Sequence, residues 1–535
     1  MMRFCQTSLV TLFLAVIFIP AAGWLAGWQF NAGIEEKRTP TPWPTLAELK
    51  KDAAGAAKQF ENAFSDRFAF RNALIKTDAW LNWKVFGIST TDSVIVGRDG
   101  WLFFTGDRSV PLFQGIDRFT DADSAYVADA LEMRHRWLRN QGIASAHVIA
   151  PAKESVYPEF MPTGIPRVKQ PSTMEDFLRF GEGRDGQPVD LLTPLTTARK
   201  LREPLYLRGD SHWNDAGALV AYREILKRLS LETHGLSGAT LQSRVDPETH
   251  PYHDLATMLG ITETYRRDWP NDSPVIAPPN GWTFQTTADP VQRMRRTANS
   301  APLIEQRVLV FGDSFSEALL PFLAQTFSSV DLFQGRYFSP AKVLELKPQV
   351  VLLESAERLF FHNRPCTGEE ARVIQSPAWK ERVANAGGRA QVQFDSTRGW
   401  SGVTTRPRQP VNERGPLRLR ATQDRVALFV PLALHEADAH AAPVVQARIT
   451  MPCTGVLKWQ LEQRNGDATA PSWPLHLNLD GGPNEISFGL PARGADAPDR
   501  LSISIQTDNK RGEITFDSLR VLILPPMPDL GREGR

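Results

Sequence analysis

Apolar positions along this chain follow three successive patterns. Residues 8–29, SLVTLFLAVIFIPAAGWLAGWQ, are almost wholly apolar, with Arg3 just before them. About 20 apolar residues span a bilayer as one helix. Beyond the proline-rich stretch RTPTPWPTLAE (38–48), short apolar runs alternate with helix-period segments. Phe60, Phe64, Phe68 and Leu74 stand at helical spacing and predict helix over 48–87. SVIVGRDGWLFFTGD (93–107) reads as a hairpin turning at Gly97-Arg98-Asp99-Gly100. Residues 121–141 predict a helix that Asp121, Asp123 or Ser124 could cap. ASAHVIAPAKESVYP opens as a buried strand ending near Pro151, and VDLL (189–192) reads as a short one. An amphipathic helix follows over 215–230, then the strand RVLVF (307–311) and a helix over about 316–327. VDLF (330–333) and QVVLLES (349–355) are further strands. This alternation predicts a mostly parallel sheet with helices on both faces.

From about residue 370 the pattern changes. RVALFVPLAL, VVQARITMP, GVLKWQLEQR, LHLNLDG, EISFGLP, LSISIQTD and ITFDSLRVLIL are short runs between turn residues, with few helical segments. Several alternate polar and apolar positions, which predicts a β-sandwich. The expected organisation is an anchor or signal sequence at 1–30, a linker at 31–47, an α/β domain at 48–368 and an all-β domain at 369–535. No internal repeat is visible.

Length and composition change little. The 535 residues are 42% hydrophobic and 23% charged, ordinary for a globular chain. A net charge of +1 gives no global field to recruit nucleic acid, so no nucleic-acid partner is expected. Pro20-Ala21-Ala22-Gly23 resembles a cleavage site, but the apolar run continues through Trp24 and Trp28, which favours an uncleaved anchor. Arg3 argues for a cytoplasmic amino terminus, which places the rest of the chain in the periplasm. Of three cysteines, Cys5 sits at the membrane edge. Cys366 and Cys453 are then either a disulfide in an oxidising compartment or two separate buried thiols.

Two short stretches carry candidate chemistry. In RVLVFGDSFSEALLPFLAQTF (307–327), Ser314 stands where a strand gives way to a helix. It is either a nucleophile or a helix cap, and Asp313 could cap as readily. A serine hydroxyl needs a base, and the base needs an orienting group. YLRGDSHWNDAG (206–217) supplies both: Asp210 and His212, two apart in an extended segment, point to the same side. Asp210 could instead cap the next helix with His212 a core histidine, or the two could be metal ligands. No third or fourth ligand stands at a diagnostic spacing, so no metal is expected. Both stretches end apolar runs, at the carboxyl edge of the expected sheet, where open α/β sheets bind ligands.

Gly312-Asp313-Ser314-Phe315 resembles the serine block of SGNH (GDSL-like) esterases. The order Asp-x-His first, then Gly-Asp-Ser, is similar to the alginate O-acetyltransferase group, AlgJ and AlgX. Further resemblance lies in VIVGRDGWLFF (94–104), VIAPAKESVYPEFMP (148–162) and GDSHWNDAG (209–217), so that it covers about residues 50–365. It implies an SGNH-like catalytic domain with Ser314 as nucleophile, His212 as base and Asp210 as orienting acid. Ser211 falls inside the Asp-x-His block and is not the nucleophile. The trailing β-domain resembles a carbohydrate-binding module of the AlgX type.

The implied function is transfer of acetyl groups, through an acetyl-serine, to hydroxyls of an exopolysaccharide, alginate or another. The implied partners are a membrane-embedded acyltransferase as donor and other exopolysaccharide secretion proteins. No acetyl-CoA motif is visible and no cofactor is expected. The Ser314 N–H is the first oxyanion donor, while the usual SGNH glycine and asparagine blocks are not recognisable. Arg336 is either a second donor or substrate contact, or a surface arginine; Tyr337 stacks on a sugar or packs in the core. Lys153 contacts an anionic ligand or is a solvated loop lysine. Glu354 and Arg358 read as a structural ion pair. Trp459 and Trp473 are glycan platforms or core residues. Two rival functions stand beside the transferase: a periplasmic polysaccharide acetylesterase with the same triad, and a non-catalytic glycan-binding scaffold of a secretion complex.

Overall fold

The structure, a computed structural model, describes residues 41–66, 71–200, 204–236, 241–245, 253–269, 274–335, 337–362, 368–386, 389–395, 400, 403–406, 415–420, 425–431, 442–451, 454–462, 475–489, 500–507 and 513–524, with six scattered positions between 11 and 23. The expected anchor falls almost entirely outside the described residues, as do Arg336, Cys366, Cys453, Trp473 and the side chain of Trp459. Among the described residues, no helix is long and apolar enough to cross a membrane.

The predicted hairpin forms as β1 (Val94–Val96) and β2 (Leu102–Phe104). The first long strand is β3 (Ala144–Ala150). A two-stranded ribbon, β4 (Gln242–Val245) with β5 (Pro274–Ala277), stands apart from the main sheet. The remaining strands of this half are β6 (Gln285–Asp289), β7 (Met294–Ala298), β8 (Ile304–Gly312), β9 (Phe327–Gln334) and β10 (Val350–Ala356). With β3 they make a six-stranded sheet of order β3-β10-β8-β9-β7-β6.

Its core strands are apolar on both faces, and successive side chains go to opposite sides. Val308, Val310, Val350 and Leu352 pack against Tyr222, Ile225 and Leu319 of the helices Asp215–Arg228 and Ser316–Thr326. Leu309, Phe311, Val351 and Leu353 meet Leu138 of helix Asp121–Asn140 and Ile374 on the other face. The continuous apolar runs noted in the sequence are therefore strands buried from both sides.

The sheet is mixed rather than parallel throughout. β3, β10, β8 and β9 run parallel, while β7 and β6 add antiparallel at one edge. Their sequences, MRRTA and QTTAD, are largely polar and exposed, so no apolar run announces them. An antiparallel edge tolerates water on one side. The VDLL strand shrinks to one bridge, Val148 to Val189. Asp190 Oδ1 accepts the Leu192 and Thr193 N–H groups at 2.9 and 3.1 Å and starts the helix Leu192–Ala198 instead. The cap of helix Asp121–Asn140 is Thr120, in a reciprocal box with Asp123.

The carboxyl-terminal half holds β11 (Arg389–Asp395), β12 (Thr404–Arg406), β13 (Leu417–Arg420), β14 (Arg425–Pro431), β15 (Ala442–Met451), β16 (Gly455–Glu462), β17 (Leu475–Leu479), β18 (Gly482–Gly489), β19 (Arg500–Thr507) and β20 (Glu513–Leu524). They form two sheets, β11-β20-β15-β18 with β13 on β20, and β12-β14-β19-β16-β17. Both contribute to one core that includes Val445, Ile449, Leu519 and Val521 from the first and Leu428, Leu457, Ile503 and Ile505 from the second. Strands β11 to β13 are additional to the seven predicted runs. The helix Ser376–Ala386 also falls in the stretch expected to hold few helices; its Trp379 packs on Val444 and Leu524.

Candidate active site

The Gly312–Ser316 turn joins β8 to the helix Ser316–Thr326 at the carboxyl edge of the sheet. Gly312 is obligatory there for want of space: a Cβ would fall on Ser316 Oγ and lie 3.1 Å from Glu354 Oε2. Asp313 spends its carboxylate on main-chain donors, with Oδ1 accepting the Phe315 N–H at 2.9 Å and Oδ2 the Ala356 N–H at 2.7 Å. Glu354, buried on β10, accepts the Asp313 N–H at 3.0 Å and the Ser316 O–H at 2.7 Å through Oε2. Burial, then the Asp313 charge, hold the Glu354 carboxyl well above its ordinary range. Glu354 therefore clamps the turn instead of pairing with Arg358, whose nearest acidic partner is Asp107 at 3.6 Å.

The Ser314 side chain makes no capping bond and is exposed. Its Oγ lies 2.6 Å from His212 Nε2, across 102 residues of chain. His212 Nδ1 lies 2.6 Å from Asp210 Oδ1. A carboxylate only accepts, so Nδ1 carries the proton and Nε2 offers its lone pair to the serine hydroxyl. The helix-cap reading of Asp210 fails, because Asn214 Oδ1 caps the helix Asp215–Arg228 through the Ala216 and Gly217 N–H groups. Asp210 is buried and accepts two further bonds, from the His212 N–H at 3.0 Å and the Asp254 N–H at 2.9 Å. Burial pushes its carboxyl up, but the bond and charge of His212 outweigh that and leave it below the usual value. Burial pushes the His212 imidazole down, and the Asp210 bond and charge more than reverse it, so its proton affinity ends above the ordinary value.

The base is also fixed by packing. Phe315, fully buried, meets the His212 ring at 4.9 Å and the Trp213 ring edge-on at 5.1 Å. Trp213 Nε1–H donates to the Phe315 carbonyl at 3.1 Å. Lys153 is neither solvated nor open to a ligand. It is 2% exposed, and its ammonium donates to the carbonyls of Leu207, Arg208 and Asp210 at 3.1, 2.9 and 2.6 Å. It holds the loop that carries Asp210 and His212.

For the developing oxyanion, the Ser314 N–H finds no acceptor among the described residues, whereas the Phe315 N–H is taken by Asp313. Tyr337 is 53% exposed and so is not a core residue. It lines a cavity of about 80 Å³ with Asp313, Gly335, Phe338 and Glu354, beside the Ser314 turn, and His212 is not among the lining residues. Arg336, next to it, lies outside the described residues.

Asp210, His212 and Asp254 place three donor atoms within 4.8 Å, a set that could hold a cation. A cation on Nδ1 would need that nitrogen's lone pair, leaving Nε2 protonated and unable to take the serine proton. Metal ligation and the observed hydrogen-bonded chain exclude each other.

Lys153, Asp254 and Glu354 are site residues whose roles the sequence pattern does not announce. None shares a spacing motif with Ser314 or His212. A signal existed for Lys153 and Glu354, each a charged residue at the end of an apolar strand run. Asp254, 42 residues beyond His212, had none.

Residues 94–332 match the family model described as SGNH hydrolase-like domain, acetyltransferase AlgX. The chain is 24% identical over 357 residues to the probable alginate O-acetylase AlgJ of Pseudomonas fluorescens, a match that spans 62% of this chain and 83% of that one. It is 25% identical over 276 residues to the probable alginate O-acetylase AlgJ of Pseudomonas aeruginosa, covering 50% and 62% of the two chains. Among solved structures, the O-acetyltransferase domain of Pseudomonas putida AlgJ is 21% identical, covers 51% of this chain and 93% of that chain, and has a TM-score of 0.32. The α/β half is SGNH-like, and the chain is similar to the alginate O-acetyltransferase group.

Proposed function

We propose that this chain, similar over its α/β half to the alginate O-acetyltransferase group, transfers acetyl groups to hydroxyls of an exopolysaccharide through an acetyl-Ser314 intermediate. The observation that carries the reading is the unbroken chain from Ser314 Oγ through His212 to Asp210, 2.6 Å at each link. Ser314 Oγ attacks the donor's acyl carbonyl while His212 Nε2 takes its proton. The resulting imidazolium, held by Asp210, protonates the leaving oxygen as the tetrahedral intermediate collapses. A sugar hydroxyl then enters, gives its proton to Nε2 and attacks the acetyl-serine, and the proton returns to Ser314 Oγ. The free Ser314 N–H at the start of a helix is the oxyanion donor this reading uses.

The acceptor proposed is a polysaccharide, alginate or a related polymer. The carboxyl-terminal half supports it with a groove of about 200 Å³ on the face of β11, β15, β18 and β20, lined by Gln446, Arg448, Ser518 and Arg520. The apolar run at 8–29 supports an anchor in the inner membrane with the rest of the chain periplasmic. In that compartment a membrane-embedded acyltransferase would supply the acetyl group, beside other secretion proteins. A second reading, polysaccharide acetylesterase, is favoured by the exposure of Ser314, which lets water compete with the sugar.

The test is intact-mass spectrometry of the purified chain with 4-nitrophenyl acetate, with and without oligosaccharides, beside Ser314→Ala. A single acetyl adduct confined to the wild type, discharged faster onto sugar than to acetate, is the expected result. Acetate dominating for every acceptor would favour the esterase, and identical spectra for both proteins would overturn the acyl-enzyme.

A further inference from the structure

Asp254 opens the short helix Asp254–Met258, on a segment remote in sequence from both motifs. Its contacts converge on the base. Its N–H donates to Asp210 Oδ2 at 2.9 Å, the oxygen that His212 does not use. Its Oδ1 accepts the Ser211 N–H at 2.8 Å, and its Oδ2 accepts the Ser211 O–H at 2.5 Å. That same Oδ2 stands 3.8 Å from His212 Nδ1, too far for a hydrogen bond and near enough for a charge interaction weaker than that of Asp210. The Ser211 hydroxyl, 3.3 Å from Nδ1, lies between the two. The serine beside the histidine is thus a strut to Asp254, which accounts for a second Gly-Asp-Ser in this chain that is not a nucleophile.

We propose that Asp254 is a positioning residue for the acyl-transfer reaction, a second acidic partner that holds the Asp210–Ser211–His212 segment in register and sets the base strength of His212. The proposal rests on the triad reading above.

Among the described residues, the charged and titratable groups around His212 come from five segments. Asp210 lies on its own loop, Ser314 on the turn after β8, and Glu317 on the helix that follows. Arg358 follows β10 and weakens protonation, while Asp254 strengthens it. Asp210 contributes a full hydrogen bond and fixes the tautomer. Asp254, half-buried, adds a second negative charge without taking the Nδ1 proton. That favours the imidazolium formed each time Ser314 or the acceptor sugar gives up its proton.

The test separates this from the triad reading because it titrates the ring itself. Histidine labelled with carbon-13 is followed by NMR against pH in the full chain, and the His212 signal is identified by its loss in His212→Gln. Wild type is compared with Asp254→Asn, which keeps size and an acceptor for the Ser211 N–H, and with Ser211→Ala, which keeps the charge. Asp254→Asn is expected to lower the His212 pKa by about half to one unit, and to move the acid limb of kcat/KM for 4-nitrophenyl acetate down with it. Ser211→Ala should leave the pKa close to that of wild type and lower kcat/KM by about threefold to tenfold. An unchanged His212 pKa in folded Asp254→Asn overturns the proposal. If that variant does not fold, Asp254→Glu takes its place, keeping the charge while displacing it. A shifted His212 pKa with a several-fold loss of rate then supports the proposal, and an unchanged pKa at the full wild-type rate overturns it. A shifted pKa in a chain that forms no acetyl adduct would sink the triad reading alone.

Discussion

The two arms of the candidate triad are held by different physics. The Ser314 arm is a tight strand-to-helix turn without room for a Cβ at Gly312, pinned to β10 by Glu354 and by the Asp313 bond to the Ala356 N–H. Five consecutive residues and one neighbouring strand account for it. The His212 arm is a loop assembled from afar. Lys153 gathers three of its carbonyls, Asp254 braces Asp210 and Ser211, and Phe315 supports the ring. One arm depends mainly on exclusion of volume, the other on buried charge. The first should fail when atoms are added, the second when a charge is removed.

The largest effect should come from the residue where the arms meet. His212→Ala should lower acetyl transfer by about 10³-fold or more, with little change in thermal stability. A residual rate within tenfold of wild type, measured with 4-nitrophenyl acetate, would remove His212 from the chemistry. In the wild type, the raised proton affinity of the imidazole should place the acid limb of kcat/KM higher than an ordinary histidine would.

Lys153→Met tests the base arm alone. It leaves three carbonyls, two of them buried, without their cation, at a cost of roughly 2–4 kcal/mol. Activity should fall by about 10²-fold while the Ser314 turn keeps its place. Wild-type unfolding in denaturant would contradict the structural role of the lysine.

The base arm should also respond to pH through its scaffold. Glu357 Oε2 accepts the Ala152 N–H at 2.7 Å, immediately before Lys153. Burial pushes the Glu357 carboxyl up to about 7, against the lowering effect of that bond. The folded chain thus binds this proton more tightly than the unfolded chain. Its contribution to stability is full below the ordinary value of 4.5 and is lost as pH rises through 7. At about 1.4 kcal/mol per unit, wild type should lose roughly 3 kcal/mol relative to Glu357→Gln over that window. Parallel stability curves for the two proteins would show that Glu357 does not hold the proton.

Gly312→Ala should break the other arm for the opposite reason. One methyl group displaces Ser316 Oγ from Glu354 and costs about 1–3 kcal/mol. Ser314 should move off His212 while the 207–213 loop stays intact, so the His212 titration should persist as activity falls. Full activity in this variant would mean that the turn has slack that the structure does not show.

Legibility in the sequence follows the same division. Strands buried on both faces write themselves as apolar runs, so β3, β8, β9 and β10 were readable. The edge strands β6 and β7 were not, because polar exposed residues carry no periodic signal distinct from a loop. In the carboxyl-terminal half the alternating runs announced two packed sheets, but the helix Ser376–Ala386 beside them lacks a clear apolar stripe.

The sequence by itself determined the chemistry on offer. Gly312-Asp313-Ser314 at the end of an apolar run and Asp210-x-His212 before a helix offered three candidates in that order, with helix-cap and core readings still open beside the catalytic one. Tertiary structure decided what those residues do to one another. It brought Ser314 and His212 to 2.6 Å across 102 positions, gave the helix cap to Asn214 so that Asp210 could serve the imidazole, and recruited Lys153, Asp254 and Glu354 as supports. A local pattern records preferences for backbone shape and burial. Polar contacts between distant segments depend on how the sheet and loops stack, and no spacing along the chain encodes that.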